Sequence, residues 1–436
     1  MKFKLLIATI ILLGLFLRFH NYTQYPPRGA SSDEYTYSFL GLSLLTTGVP
    51  TSWSYFPSYP GLGQRYDIKI DHIYFPIVSP YFDHPPLNGL LVGGWALING
   101  ENTFQKITIG TIRQVPIALW VISSILLYFI GRALYDKKTV AWGLLIYSVA
   151  TLFVMETRTV FAENLLTPLL LGALLIFLTY RKRINILHII ILAIISGLSF
   201  WAKELGVTVG ASIFLLMLLE KVKVKFIVIF SIITIVIVST YALYGYLYNW
   251  PLFLAILSEQ SFRELGPNVL NTLLFNPIIV NKVYFDGWYL LGFISIFTAL
   301  YEFKKHQYIL IPAFTYFFLM MFSLTQHGEM GWYVIPLFPF FSLLTAHLLS
   351  ESIKKGGLYI ATCAVFVGLF IIRYYYEAKF GLPTIAFRLM LLGIFGPMIV
   401  FYLLKKDFML KIFSNALFYI FIAMTIYITY YYIHPL

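Results

Sequence analysis

The sequence predicts an all-α integral membrane protein of about 13 transmembrane helices, with interfacial helices in its first outer loop. Three observations carry this reading. Only 11% of the residues are charged against 59% hydrophobic, whereas a soluble domain carries about 25% charged residues. Apolar runs of about 18 residues or more, long enough to cross a hydrocarbon core of about 30 Å, recur along the whole chain. Basic residues gather as pairs and triplets between alternate runs, the pattern that sets membrane orientation. The net charge of +12 therefore reflects orientation and not a nucleic-acid surface, which needs a continuous basic stripe. The single cysteine, Cys363, lies inside an apolar run and has no disulfide partner in the chain. Once the spans are counted, residues 1–436 read as one polytopic membrane domain.

Taken in order, the runs are 3–19, 111–134, 139–155, 162–179, 186–203, 205–220, 224–247, 287–303, 307–324, 331–350, 357–375, 386–404 and 411–432. The first follows Lys2 and Lys4 and ends at Arg18 with no small-residue cleavage site beyond it, so it reads as an uncleaved anchor. With that N-terminus cytosolic, Arg181-Lys182-Arg183, Lys221, Lys223, Lys225, Lys304-Lys305, Lys354-Lys355 and Lys405-Lys406 all fall inside. Two outer segments, 20–110 and about 248–286, are too long to be connectors, and long loops in compact proteins are usually functional. Within the first, Tyr35, Phe39, Leu42 and Leu45 have helical spacing, and Pro85–Ile98 is an apolar stretch too short to span, suited to the membrane interface.

The acidic residues are biased the other way. Of the 19, all but Asp136, Glu220, Glu302, Glu351 and Asp407 fall on the outer side. Carboxylates contribute little to orientation, and beside membrane spans they are costly unless paired or functional. Asp33-Glu34 opens the first amphipathic helix, where capping by the preceding serines and the helix dipole is one explanation and a general base is the other. His84 stands before Pro85-Pro86 as a potential donor to an anionic group. Arg158 and Glu163 flank one outer turn, and Lys203-Glu204 closes the fifth run. His327, Glu329 and Tyr333 belong to a Gly- and Trp-containing outer turn, where turn chemistry and an aromatic belt account for most of the residues. There is no zinc-type His/Cys spacing, no phosphate-cradling Gly loop and no nucleophile elbow, so nothing points to a cofactor; the carboxylates leave a divalent metal open.

In this order the motifs resemble the GT-C type membrane glycosyltransferases, closest to the protein O-mannosyltransferase and lipid A aminoarabinose transferase group. The resemblance rests on Asp33-Glu34, Tyr81 to Leu87, Arg113 and Pro116, Arg158 with Glu163, Gly197-Leu198 with Lys203, and Tyr333, Pro336 and Pro339. It is strongest over about residues 30–205. His84 stands where the group often has lysine, and Trp332 where an arginine is common. The resemblance implies an inverting transfer of a sugar from a polyprenyl-phosphate-linked donor to an acceptor hydroxyl on a protein, lipid or glycan, at the non-cytosolic face of the cell membrane. It implies catalytic roles for Asp33 and Glu163, and substrate contacts from Glu34, His84, Arg158, Lys203, His327 and Tyr333. The competing expectation is a transporter or flippase of lipid-linked sugars. Such proteins show internal repeats and ionisable groups near the midplane, whereas the acids here cluster at outer ends of spans in the first half.

Overall fold

The computed structural model describes residues 2–27, 31, 33–70, 73–261, 287–322 and 331–432. The chain opens with helix α1 (Lys2–Phe19) and then builds a loop domain at one end of the bundle. That domain contains α2 (Asp33–Thr47), β1 (Ser52–Trp53), the short α3 (Tyr59–Leu62), β2 (Gln64–Ile70), β3 (Ile73–Ser79) and α4 (Leu87–Ile98). The bundle continues through α5 (Ile109–Ile112), α6 (Gln114–Leu134), α7 (Lys137–Val149), α8 (Thr151–Glu156), α9 (Ala162–Tyr180), α10 (Ile186–Ala202), α11 (Val207–Leu219) and α12 (Val224–Ser261). It closes with α13 (Gly287–Ala299), α14 (Phe303–Met321), α15 (Phe338–Lys355), α16 (Gly357–Tyr374), α17 (Thr384–Leu403) and α18 (Asp407–Tyr431).

Every apolar run read from the sequence is helical over most of its described residues, so the all-α membrane architecture holds. Among the described residues, 7 helices are long and apolar enough to cross a membrane by length and composition. Helices α12 and α17 are apolar on all sides yet leave most of that surface uncovered, with Ile235, Val236, Leu389 and Leu392 each about 60% exposed. A helix of that kind is solvated by lipid. The chain is a multi-pass membrane protein.

Three local expectations are corrected. The run 139–155 is not one helix: Ala150 (φ −56°, ψ 126°) breaks it into α7 and α8. The break strands carbonyls at the end of α7, and Arg18, fully buried, satisfies them. Its guanidinium donates to the carbonyls of Ser148 and Tyr147, each at 3.1 Å, and to the Thr157 hydroxyl at 2.8 Å, and it lies 3.7 Å over the Trp120 ring. An arginine that reads as a flanking charge is thus a clamp between α1 and the α7–α8 break. The run 224–247 extends to Ser261, kinked at Asn249 (φ −170°, ψ 92°) where Pro251 follows. Finally, α2 is not half-exposed, because Thr36, Ser38, Gly41 and Ser43 are buried along with Tyr35 and Leu42.

The segment between α1 and α5 also contains an antiparallel sheet of order β1-β3-β2, which the apolar runs do not indicate. Its hairpin pairs Tyr66 with Ile77 and Ile68 with Phe75. The alternation in Arg65-Tyr66-Asp67-Ile68-Lys69-Ile70 is the period-2 signal of a strand, although Tyr66 stays half exposed.

Candidate active site

Two contacts shape this end of the molecule, one within the loop domain and one between it and the bundle. Helices α2 and α4 cross so closely that a Cβ on Gly41 would lie 1.7 Å from the Gly89 carbonyl oxygen, and one on Gly93 would lie 2.2 Å from the Leu42 nitrogen. Only glycine allows this approach. The crossing sets the Tyr37 ring against the His84 ring, stacked at 5.0 Å between centroids. The second contact is an ion pair with both side chains fully buried. Arg113 donates from Nε and Nη2 to the two Glu34 oxygens at 2.8 and 2.7 Å, and the Val160 N–H donates to Glu34 Oε1 at 3.1 Å. The remaining guanidinium nitrogen, Nη1, donates to the carbonyls of Tyr22 and Pro26 at 2.7 and 2.8 Å. The ion pair therefore locks the first turn of α2, and with it Asp33, to α5–α6 and to the turn before α9.

Two adjoining cavities lie where the loop domain meets the bundle. One, of about 410 Å³, is polar and aromatic, lined by Asp33, Trp53, Tyr55, Tyr81 and Trp332 among others. The other, of about 450 Å³, has an apolar wall of Leu205, Val207, Leu257, Leu319 and Phe322. Asp83, His84, Lys203, Gln260 and Tyr333 line both, so the Lys203 ammonium and the His84 imidazole stand on the shared wall. The Lys203 ammonium donates to Glu163 Oε1 at 2.5 Å and sits 3.9 Å over the Tyr333 ring. Tyr333 is itself held by Tyr316, whose hydroxyl donates to its carbonyl at 2.7 Å. Among the described residues, the second Glu163 oxygen and the Tyr37 hydroxyl have no hydrogen-bond partner, although both are buried.

The structure thus places Asp33, His84, Lys203 and Tyr333 on one cavity, with Glu163 directly behind Lys203. Two residues expected to contact substrate lie elsewhere. Glu34 faces away and spends both oxygens on Arg113 and Val160. Arg158 lines neither cavity; its Nη1 donates to the His20 carbonyl at 2.8 Å, and it faces Tyr25. Burial together with the nearby Arg113 charge pushes the Arg158 guanidinium down to about 9. His327 and Glu329 lie outside the described residues. Within the described residues, no three His, Cys or carboxylate groups of the cavity converge within ligating distance of a metal.

Asp83, part of the Tyr81–Leu87 motif but given no role there, and Gln260 also line the cavity. Asp83 was visible beside His84, but nothing local marked it as buried. The Tyr59 hydroxyl donates to its Oδ1 at 2.6 Å, and Gln260 Nε2 donates to its backbone carbonyl. Burial pushes the Asp83 carboxyl up to about 7, against partial relief from Ser54 and Tyr59. A raised carboxyl favours the folded state at low pH, where it is protonated in both states. That advantage is lost as pH rises from the unfolded value near 3.8 through about 7. Unfolding in denaturant should therefore show stability falling with pH across that window, and Asp83→Asn should flatten the slope. An unchanged slope in the variant would remove Asp83 as its source. Gln260 carried no signal at all, since it reaches the cavity only because α12 continues past its kink.

The fold is shared with solved structures of membrane glycosyltransferases. Residues 83–244 match the family model described as dolichyl-phosphate-mannose-protein mannosyltransferase, so the resemblance read from the motifs holds over that segment. ArnT from Cupriavidus metallidurans in the apo state superposes with a TM-score of 0.57 at 13% identity, over 99% of this chain and 78% of that one. The archaeal oligosaccharyltransferase AglB from Archaeoglobus fulgidus, in complex with an inhibitory peptide and a dolichol-phosphate, gives 0.54 at 13% identity, over 100% and 56%. ArnT bound to undecaprenyl phosphate gives 0.56 at 13% identity, over 98% and 77%. The chain spans about half the length of the oligosaccharyltransferase it matches. At these identities the structures share the fold. No curated protein matches the sequence.

Proposed function

We propose that the protein is an inverting glycosyltransferase that moves a sugar from a polyprenyl-phosphate-linked donor to an acceptor hydroxyl at the non-cytosolic membrane face. The observation that carries this reading is the two-part cavity with Lys203 and His84 on its dividing wall. A polyprenyl-phosphate sugar has the same order of chemistry: an apolar chain, a phosphate and a polar ring. The apolar cavity suits the first isoprene units, the Lys203 and His84 wall suits the phosphate, and the aromatic cavity suits the sugar and its acceptor. The similar structures support the donor class, since one was solved with undecaprenyl phosphate and one with a dolichol-phosphate.

In this reading Asp33 takes the acceptor proton as the acceptor oxygen attacks the anomeric carbon from the face opposite the phosphate. The bond from that carbon to the phosphate oxygen breaks, and its electron pair leaves on the lipid phosphate. A phosphate needs no general acid; Lys203 and His84 hold the charge that develops on it. Glu163 is a positioning residue that fixes the Lys203 ammonium, and Tyr333 supports the same ammonium from its ring face. The pairs and triplets of basic residues between alternate apolar runs support the face assigned here. The acceptor class is left as protein, lipid or glycan.

The test is turnover by the purified protein in detergent with a polyprenyl-phosphate sugar and a panel of acceptor hydroxyls. Release of free lipid phosphate matched by a glycosylated acceptor is the expected result. Tight donor binding with translocation in vesicles and no transfer to any acceptor would establish the flippase reading in its place.

A further inference from the structure

A second cluster lies at the other end of the bundle. Glu302 and His306 are one helical turn apart where α14 begins, so they share a face, and His347 of α15 meets them there. Glu302 Oε2 lies 3.5 Å from His306 Nε2 and 3.8 Å from His347 Nε2, and one ligand atom from each residue lies within 4.8 Å of the others. The Tyr135 hydroxyl hydrogen-bonds His306 Nδ1 at 2.7 Å, which fixes the ring and turns Nε2 toward the cluster. A cation already occupies this point: the Lys305 ammonium lies 2.7 Å from Glu302 Oε2 and 3.1 Å from His347 Nε2. A cavity of about 340 Å³ opens beside the three residues and is also lined by Ser295, Thr298 and Glu351.

We propose that Glu302, His306 and His347 form a site for a divalent transition-metal ion of the zinc class. Metal–ligand bonds of about 2.0–2.1 Å in a tetrahedron imply ligand-to-ligand edges of roughly 3.3 Å. The two carboxylate-to-imidazole edges exceed that by a few tenths of an ångström, a closure that side-chain rotation supplies. Two imidazoles and one carboxylate suit zinc better than the all-oxygen preference of magnesium or calcium. The fourth position faces the cavity and takes water or Glu351. Lys305 is half-exposed on a flexible stem, so the incoming ion displaces its ammonium into solvent. The site is remote from the outer cavity: His306 and Leu319 lie on one helix about 20 Å apart. Its role is therefore to clamp α14, α15 and the end of α6 together, not to act on a sugar. Sequence spacing hid it because the third ligand comes from a different helix.

The full-length protein in detergent, stripped with chelator and desalted, is titrated with zinc chloride by calorimetry and followed by thermal unfolding. Cobalt substitution gives an absorption spectrum that reports tetrahedral coordination. One ion per chain should bind and raise the unfolding temperature, with His347→Gln and Glu302→Gln each removing the binding. Lys305→Met should tighten it by about tenfold, because a competing cation is gone. Asp33→Asn should leave it unchanged. Absence of stoichiometric binding would overturn the proposal. Binding lost in Asp33→Asn but kept in His347→Gln would also do so by moving the ion to the outer cavity. A Lys305→Met protein that binds no more tightly would show that the ion is not where the ammonium now sits.

Discussion

Asp33→Asn should lower the rate of sugar transfer by roughly 100- to 10,000-fold, the range of a general base, while donor binding stays within about twofold. The asparagine keeps the shape at the start of α2 and the lining of the cavity, but it cannot accept the acceptor proton. The proper control is Asp83→Asn, because Asp83 is the other carboxylate on the same wall. Asp83 is the poorer base on geometry: its Oδ1 already accepts the Tyr59 hydroxyl at 2.6 Å. Asp33 instead occupies the first turn of a 15-residue helix, where the N-terminal partial charge favours a carboxylate anion. Full turnover in Asp33→Asn together with loss in Asp83→Asn would exchange the two roles. Equal retention in both would mean that neither removes the proton.

The bundle was legible because lipid imposes a simple rule: backbone polar groups must be satisfied within each span, so a long apolar run becomes a helix. The rule gives no help where a run is interrupted by a partner far away in sequence. Nothing local to 139–155 announces a break at Ala150, since the stranded carbonyls are satisfied by Arg18 from another helix. The site was half legible for the same reason. Asp33, His84 and Lys203 are ionisable residues close to apolar segments, where charge is expensive enough to draw notice. Asp83 and Gln260 are costly only in context, through burial against Tyr59 and through the continuation of α12. Glu34 shows the opposite error. Adjacent acids look alike in sequence, yet on a helix neighbouring side chains point about 100° apart. One faces the cavity, and the other faces Arg113.

That division of labour makes Arg113 the most consequential residue outside the cavity. Arg113→Met should destabilise the protein by about 3–5 kcal/mol, because it leaves the Glu34 carboxylate buried without its counter-charge. It also strands the Tyr22 and Pro26 carbonyls that now accept from Nη1. Glu34→Gln should cost less, since the amide still accepts one of the guanidinium bonds and the Val160 N–H keeps an oxygen partner. The double variant Glu34→Met with Arg113→Met should be less destabilised than the sum of the singles, because no charge is left unpaired. Unfolding midpoints of the four proteins in one detergent measure this coupling. Activity adds a second readout: at temperatures where the variants remain folded, turnover should fall with the loosening of α2, because Asp33 precedes Glu34 on the same turn. Strict additivity of the two Met substitutions would mean that the pair does not act as a unit. Unimpaired turnover in a folded Arg113→Met protein would mean that Asp33 is held by something other than this lock.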